Sequence, residues 1–140
     1  MDNQTFFNTV ALHLLNQGTR AANEHGVCLY RGPDGTKCAA GVMIPDCHYH
    51  PDMEQTSIDS VLSNNPELEP YFPSIELATS LQNTHDSSEP GTWFAELRGV
   101  ARKFNLSTDA LWAWRDKEYP EQHECYTTLR VDNQPEGEMA

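Results

Sequence analysis

Phe6, Val10 and Leu14 recur at four-residue steps, with Phe7, Ala11 and Leu15 beside them. One apolar stripe of this period marks an amphipathic helix, which Asp2 is placed to cap and Gly18 to stop; Ala21 and Ala22 offer one more turn. His13, in mid-helix, reads as a surface or boundary residue. The period then changes. "VCLY" alternates and is rich in strand formers, "RGPDGT" carries a tight-turn signature, and "KCAAGVMI" returns, which together predict a β-hairpin.

Helical spacing resumes at residues 57–63, with Ile58, Val61 and Leu62 on one side, and Asn64, Asn65 and Pro66 end that helix. Pro66 and Pro70 frame a single turn. Ser74 caps the next helix, where Ile75, Ala78 and Leu81 are expected to face inward, and "NTHDSSEPG" reads as a loop. Thr92 caps a strong helix with the stripe Phe94, Leu97, Ala101 and Phe104, flanked by Trp93 and Val100. Asn105 breaks it. Ser107 caps a last helix holding Leu111, Trp112 and Trp114, and Pro120 stops it. "CYTTLRV" reads as a short strand and "DNQPEGEMA" as a disordered end. The expected class is α+β: a mainly helical single domain over residues 1–128 with one small hairpin, followed by an acidic tail at 129–140, without internal repeats.

Composition narrows this picture. With 140 residues and 38% hydrophobic content, the chain has room for one core without staples. No apolar run reaches the roughly 18 residues of a membrane span. "MDNQTFFNTV" lacks the basic start of a secretory signal, so the four cysteines are expected as reduced thiols in a cytoplasm. The net charge of -12 is uneven. Residues 51–95 hold eight acids (Asp52, Glu54, Asp59, Glu67, Glu69, Glu76, Asp86 and Glu89) and no Lys or Arg, whereas residues 96–118 hold five bases against four acids. Such a field repels phosphate backbones and attracts basic partners.

Three of the four cysteines and two of the six histidines fall within residues 28–50. The candidate metal ligands are Cys28, Cys38, Cys47, His48 and His50. Zinc wants four soft ligands at roughly 2.0–2.3 Å, normally with two of them two to four residues apart. Cys28 and Cys38 are ten residues apart and Cys47-His48-x-His50 is an isolated cluster, so the spacing argues against a metal, and no cofactor is expected. In the hairpin register Cys38 falls opposite Leu29 or Cys28; an oxidising compartment would make Cys28 and Cys38 a disulfide, whereas the cytoplasm expected here leaves them reduced and packed as small hydrophobes. Cysteine catalysis requires a thiolate with a base in reach. Cys47 beside His48 and Cys125 near His123 offer adjacency only, and no other catalytic motif is present, so an enzyme is not expected.

The segment "C-x-Y-R-x-P-D-G-x-K-C-A-x-G-x-x-I-P-D", Cys28 to Asp46, resembles a recurrent segment of small uncharacterised proteins of tailed bacteriophages and prophages. The resemblance extends over roughly residues 4–106. Cys28, Tyr30, Arg31, Gly35, Lys37, Cys38, Ala39, Gly41, Ile44, Pro45 and Asp46 match it, while "CHYH" departs from it, which weakens the metal reading further. It implies phage origin and a bacterial cytoplasm rather than a mechanism.

"VARKFNLSTDALWAW" has helix-turn-helix spacing: Ala101, then Asn105 at the turn, Ser107 as cap, Leu111 in the core and Trp114 three on. Arg98, Arg102, Lys103, Arg115 and Lys117 form a basic cluster beside it. Against DNA binding stand the net charge and the outward positions Thr108, Asp109, Trp112 and Ala113, which are poor base readers. The favoured reading is therefore a non-enzymatic phage accessory protein that binds a host or defence protein with a basic surface, in the sharper version by mimicking nucleic-acid charge. Glu67, Glu69, Glu76, Asp52 and Glu54 would steer it and Trp112 would anchor it. The alternative is a DNA-binding regulator using residues 94–117, and the third a zinc-stapled module or enzyme.

Overall fold

The computed structural model describes residues 1–120. α1 (Asn3–Gln17) begins where the Asp2 carboxylate accepts the Thr5 N–H at 2.8 Å and ends at Gly18, in the left-handed region with φ 71°. Its stripe of Phe6, Phe7, Val10, Ala11 and Leu14 is buried, and α1 packs against α3 (Ile75–Ser87), α4 (Trp93–Lys103) and α5 (Asp109–Glu118). α2 (Ile58–Asn64) is a short helix capped by Ser57, joined to α3 by a 3-10 turn at Pro66–Tyr71. Gln4 ties the start of α1 to the α4–α5 turn: its amide oxygen accepts the Ser107 N–H at 2.8 Å and its NH₂ donates to the Ser107 carbonyl at 3.1 Å. One contiguous core runs through all five helices, with Trp93, Trp112, Phe6 and Phe7 its largest fully buried members.

The expected hairpin does not form, and the class is helical rather than α+β: among the described residues there is no strand, only isolated bridges between Ala22 and Cys28 and between Arg31 and Lys37. The reversal itself occurs, with Gly32 N–H on the Thr36 carbonyl at 2.8 Å and Asp34 and Gly35 at φ 60° and 77°. Pairing cannot spread from it because its donors are engaged elsewhere. The Glu54 carboxylate accepts the N–H groups of Tyr30 and Arg31 at 2.8 and 3.2 Å, and Leu29 N–H bonds the Ala21 carbonyl. Beyond Cys38 the chain winds into a 3-10 turn at Gly41–Met43. Cys38 N–H lies on the Tyr30 carbonyl, so Cys38 faces Tyr30 rather than Leu29 or Cys28.

Two other expectations change. α3 continues through "NTHDS" to Ser87, where a loop was expected, because Thr84 and His85 are buried on its inner face. Ile75, expected inside, is 42% exposed, and Leu77 takes the inward position. The expected "CYTTLRV" strand, the boundary at 128 and the tail at 129–140 lie outside the described residues.

Candidate functional site

The motif segment is architecture. Arg31 donates to the Ile44 carbonyl at 2.8 Å, pairs with Asp46 at 2.7 Å and lies over the Tyr49 ring at 4.5 Å. Tyr49 OH in turn donates to Glu54 at 2.6 Å. A Cβ on Gly41 would sit 2.0 Å from the Tyr30 carbonyl oxygen, so only glycine fits there. Glu54 therefore organises a loop and is not a displayed carboxylate, contrary to the expectation that it steers a partner.

The other acids of residues 51–95 divide by environment. Asp52, Asp59, Glu67, Glu69 and Glu76 are exposed, and none pairs with a cation among the described residues. Glu89 faces Arg20 at 3.9 Å. Asp86 lines a cleft. Glu67 and Glu69 lie in the turn before α3 and Glu76 in its first turn, beside the exposed Ile75 and the exposed Pro70 and Pro73.

The cleft has a volume of about 430 Å³ and opens between Cys28–Tyr30, Gln55–Asp59 and the face of α3 that carries Thr79, Gln82, Asn83 and Asp86. Gln82 accepts the Ala40 N–H at 2.9 Å and donates to Asp86 at 3.0 Å. His85 is fully buried, stacked on Trp93, and its Nε2 accepts the Ala21 N–H at 2.9 Å. That bond fixes the tautomer: the proton sits on Nδ1, which donates to Asp86 at 2.7 Å. Burial pushes the Asp86 carboxyl up, but hydrogen bonds from His85, Cys28 and Gln82 outweigh it and hold the group below the usual carboxylate range.

Cys28, His85 and Asp86 bring ligand atoms within 4.8 Å of one another. Both imidazole nitrogens are engaged, however, one as acceptor from a backbone donor and one as donor to Asp86, so His85 offers a metal no lone pair without breaking the fold's own bonds. Burial, then the Asp86 charge, raises the Cys28 thiol to about 11, and burial raises Cys38 to about 12. Both are protonated at neutral pH and neither is an activated nucleophile. Of the five cysteines and histidines weighed as metal ligands, only Cys28 enters this group. Cys38 lies in the core beside the cleft, and Cys47 and His50 are exposed, with His48 against Tyr71. Cys125 and His123 lie outside the described residues.

The basic cluster is drawn into packing. Arg98 lies over Trp112 at 5.2 Å, Arg115 over Phe94 at 4.5 Å, and Lys103 over Phe104 at 5.4 Å, while Arg102 and Lys117 are exposed. The turn between α4 and α5 has helix-turn-helix character, with Asn105 at φ 58° and Leu106 N–H on the Ala101 carbonyl at 2.8 Å. Trp112, expected as the partner anchor, is 1% exposed and meets Phe94 edge-on at 5.1 Å; the half-buried tryptophan is Trp114, which donates to Asn16. His85, Asp86 and Gln82 were missed as site residues. Their spacing of i, i+3 and i+4 is the signal that a continued α3 would have provided.

No protein-family model, curated protein or solved structure matches this chain.

Proposed function

We propose that the chain is a non-enzymatic binding protein that docks a basic surface of a host or defence protein through the turn before α3 and the first turn of α3. The observation that carries this reading is the set of exposed carboxylates at Glu67, Glu69 and Glu76, without cation partners among the described residues, on the turn before α3 and the first turn of α3 that also carries the exposed Ile75. Ile75 replaces Trp112 as the apolar anchor, and Asp52 and Asp59 extend the field. An exposed apolar residue on a segment rich in unpaired acids suits a partner whose pocket is rimmed by Lys or Arg. The resemblance of Cys28–Asp46 to phage-encoded proteins supplies the setting, a bacterial cytoplasm. No helix among the described residues is long and apolar enough to cross a membrane.

The regulator reading has the α4–α5 turn geometry in its favour. Its reading helix, however, displays Asp109 and Glu118 beside Lys117, and two of its arginines cover aromatic rings, so the docking reading is preferred.

The test uses a partner recovered by cross-linking in host extract, then purified. Association of the wild type should slow with added salt, and Glu67→Lys/Glu69→Lys/Glu76→Lys should slow it further while its melting temperature stays near wild type. Ile75→Ser should instead speed dissociation. A salt-independent rate shared by the wild type and the triple variant would sink the reading. A sequence-selective gel shift lost in Arg102→Glu would favour the regulator.

A further inference from the structure

We propose that the cleft beside α3 binds an organic ammonium group, with Asp86 as its counter-ion and Ile58 and Leu29 against its methylenes. This goes beyond the docking surface and does not rest on it.

The cleft's volume of about 430 Å³ falls within the roughly 300–1,000 Å³ of small-molecule sites. Its lining carries two carboxylates, Asp59 and Asp86, and no Lys, Arg or His. Asp86 keeps 36% of its side-chain surface exposed. It is held on its inner side by His85, Gln82 and Cys28, all neutral donors, since the Ala21 N–H keeps His85 in its uncharged tautomer. Hydrogen bonds thus stabilise the anion without cancelling its charge. The nearby Arg20 makes no ion pair with Asp86: its guanidinium donates to the carbonyls of His85 and Ser88 at 3.1 and 2.7 Å and faces Glu89.

An ionised carboxylate in such a wall, with hydroxyls and amides of Thr56, Ser57, Thr79 and Asn83 around it, is an acceptor set. A primary ammonium has three donors and one positive charge to match it. An anion is repelled, and a soft metal finds both imidazole nitrogens engaged. Leu29, Tyr30 and Ile58 give the same cleft an apolar wall, where an alkyl stem loses its contact with water. Two sources share this chemistry: a free aliphatic amine, or a lysine side chain of a docked protein.

The full chain, labelled with ¹⁵N, would be titrated with 1,4-diaminobutane, with a lysine blocked at both backbone ends, and with neutral 1,4-butanediol. The diamine should saturably shift the Gln82 side-chain amide and the Thr79 and Asn83 resonances, and butanediol should not. Asp86→Asn should weaken binding roughly tenfold or more, the loss expected for one charge-assisted bond. Thr79→Trp, at an exposed position of the wall outside the hydrogen-bond network, should block the cleft with the fold intact. Glu67→Lys/Glu69→Lys/Glu76→Lys should still bind the diamine, so that failure of the docking reading and failure of this one are told apart. Diamine binding without binding of the blocked lysine identifies a free amine as the ligand; comparable binding of both identifies a partner's side chain. Equal shifts with butanediol, undiminished binding in a folded Thr79→Trp or Asp86→Asn protein, or no saturation up to ~10 mM would overturn the proposal. If Asp86→Asn does not fold, the Thr79→Trp result decides.

Discussion

Between Cys28 and Thr56 the backbone makes only short 3-10 turns, and its order comes from a few side chains that each satisfy several distant groups. Arg31 holds Ile44, Asp46 and Tyr49; Glu54 holds Tyr30, Arg31 and Tyr49; Gln17 and His13 reach across from α1 to the Lys37 backbone. Between Trp93 and Glu118 the backbone satisfies itself in two helices, and order comes from apolar area spread over Phe94, Leu97, Ala101, Leu111 and Trp112. A region built on single multidentate residues should fail abruptly at those residues. A region built on distributed burial should tolerate change outside its stripe.

The largest test of that contrast is one substitution made in both regions. Gly41→Ala drives a Cβ into the Tyr30 carbonyl and should cost about 3 kcal/mol or more in denaturant unfolding. Gly99→Ala, on the exposed side of α4 with nothing within 4 Å of its Cβ, should be stabilising, by about 0.5–1 kcal/mol, since alanine restricts the unfolded chain and favours helix. Equal effects would break the comparison.

Next in size, Glu54→Ala strands two backbone N–H groups and the Tyr49 hydroxyl and should cost about 2 kcal/mol. Hydrogen exchange should rise at Tyr30 and Arg31 before it rises in α4.

Alkali should act on the clasped region next. The Cys38 thiol is raised to about 12 in the fold from an ordinary value of 9.0, so the folded state holds this proton more tightly than the unfolded state. The stability it contributes is complete below pH 9 and is lost as pH rises toward 12. Cys38→Ala should flatten that part of the stability profile. At neutral pH the exposed Cys47 should react with a thiol reagent well before Cys28 or Cys38, as read by peptide mass mapping.

The smallest effect is on the acid side. Asp86 is held below its ordinary range, so its contribution is present above about pH 4 and is lost as pH falls through its folded value. Asp86→Asn should remove that part of the acid sensitivity and also soften the alkaline limb, because the Asp86 charge helps hold the Cys28 and Cys38 thiols protonated.

The sequence by itself determined α1, α2, α4 and α5, because apolar residues at helical spacing, with Asp2 and Gly18 at the ends of α1, bury a face wherever the chain finds partners. It also determined that residues 51–95 hold eight acids and no Lys or Arg, whereas the fold decided which of them stay displayed: Arg20 reaches Glu89 and the loop takes up Glu54. The hairpin was misread because local strand propensity says nothing of which group captures a strand's donors: Glu54, more than twenty residues away, takes the N–H groups of Tyr30 and Arg31. The end of α3 was misread because "NTHDS" is polar, and only the packing of Trp93 and the Ala21 N–H makes a buried helical site for His85. The same holds for the cleft and for the choice between Trp112 and Trp114. Each depends on which side of a helix meets the core and on hydrogen bonds closed across 23 to 98 residues, and long-range pairings of that kind are specified by the whole fold, not by any local pattern.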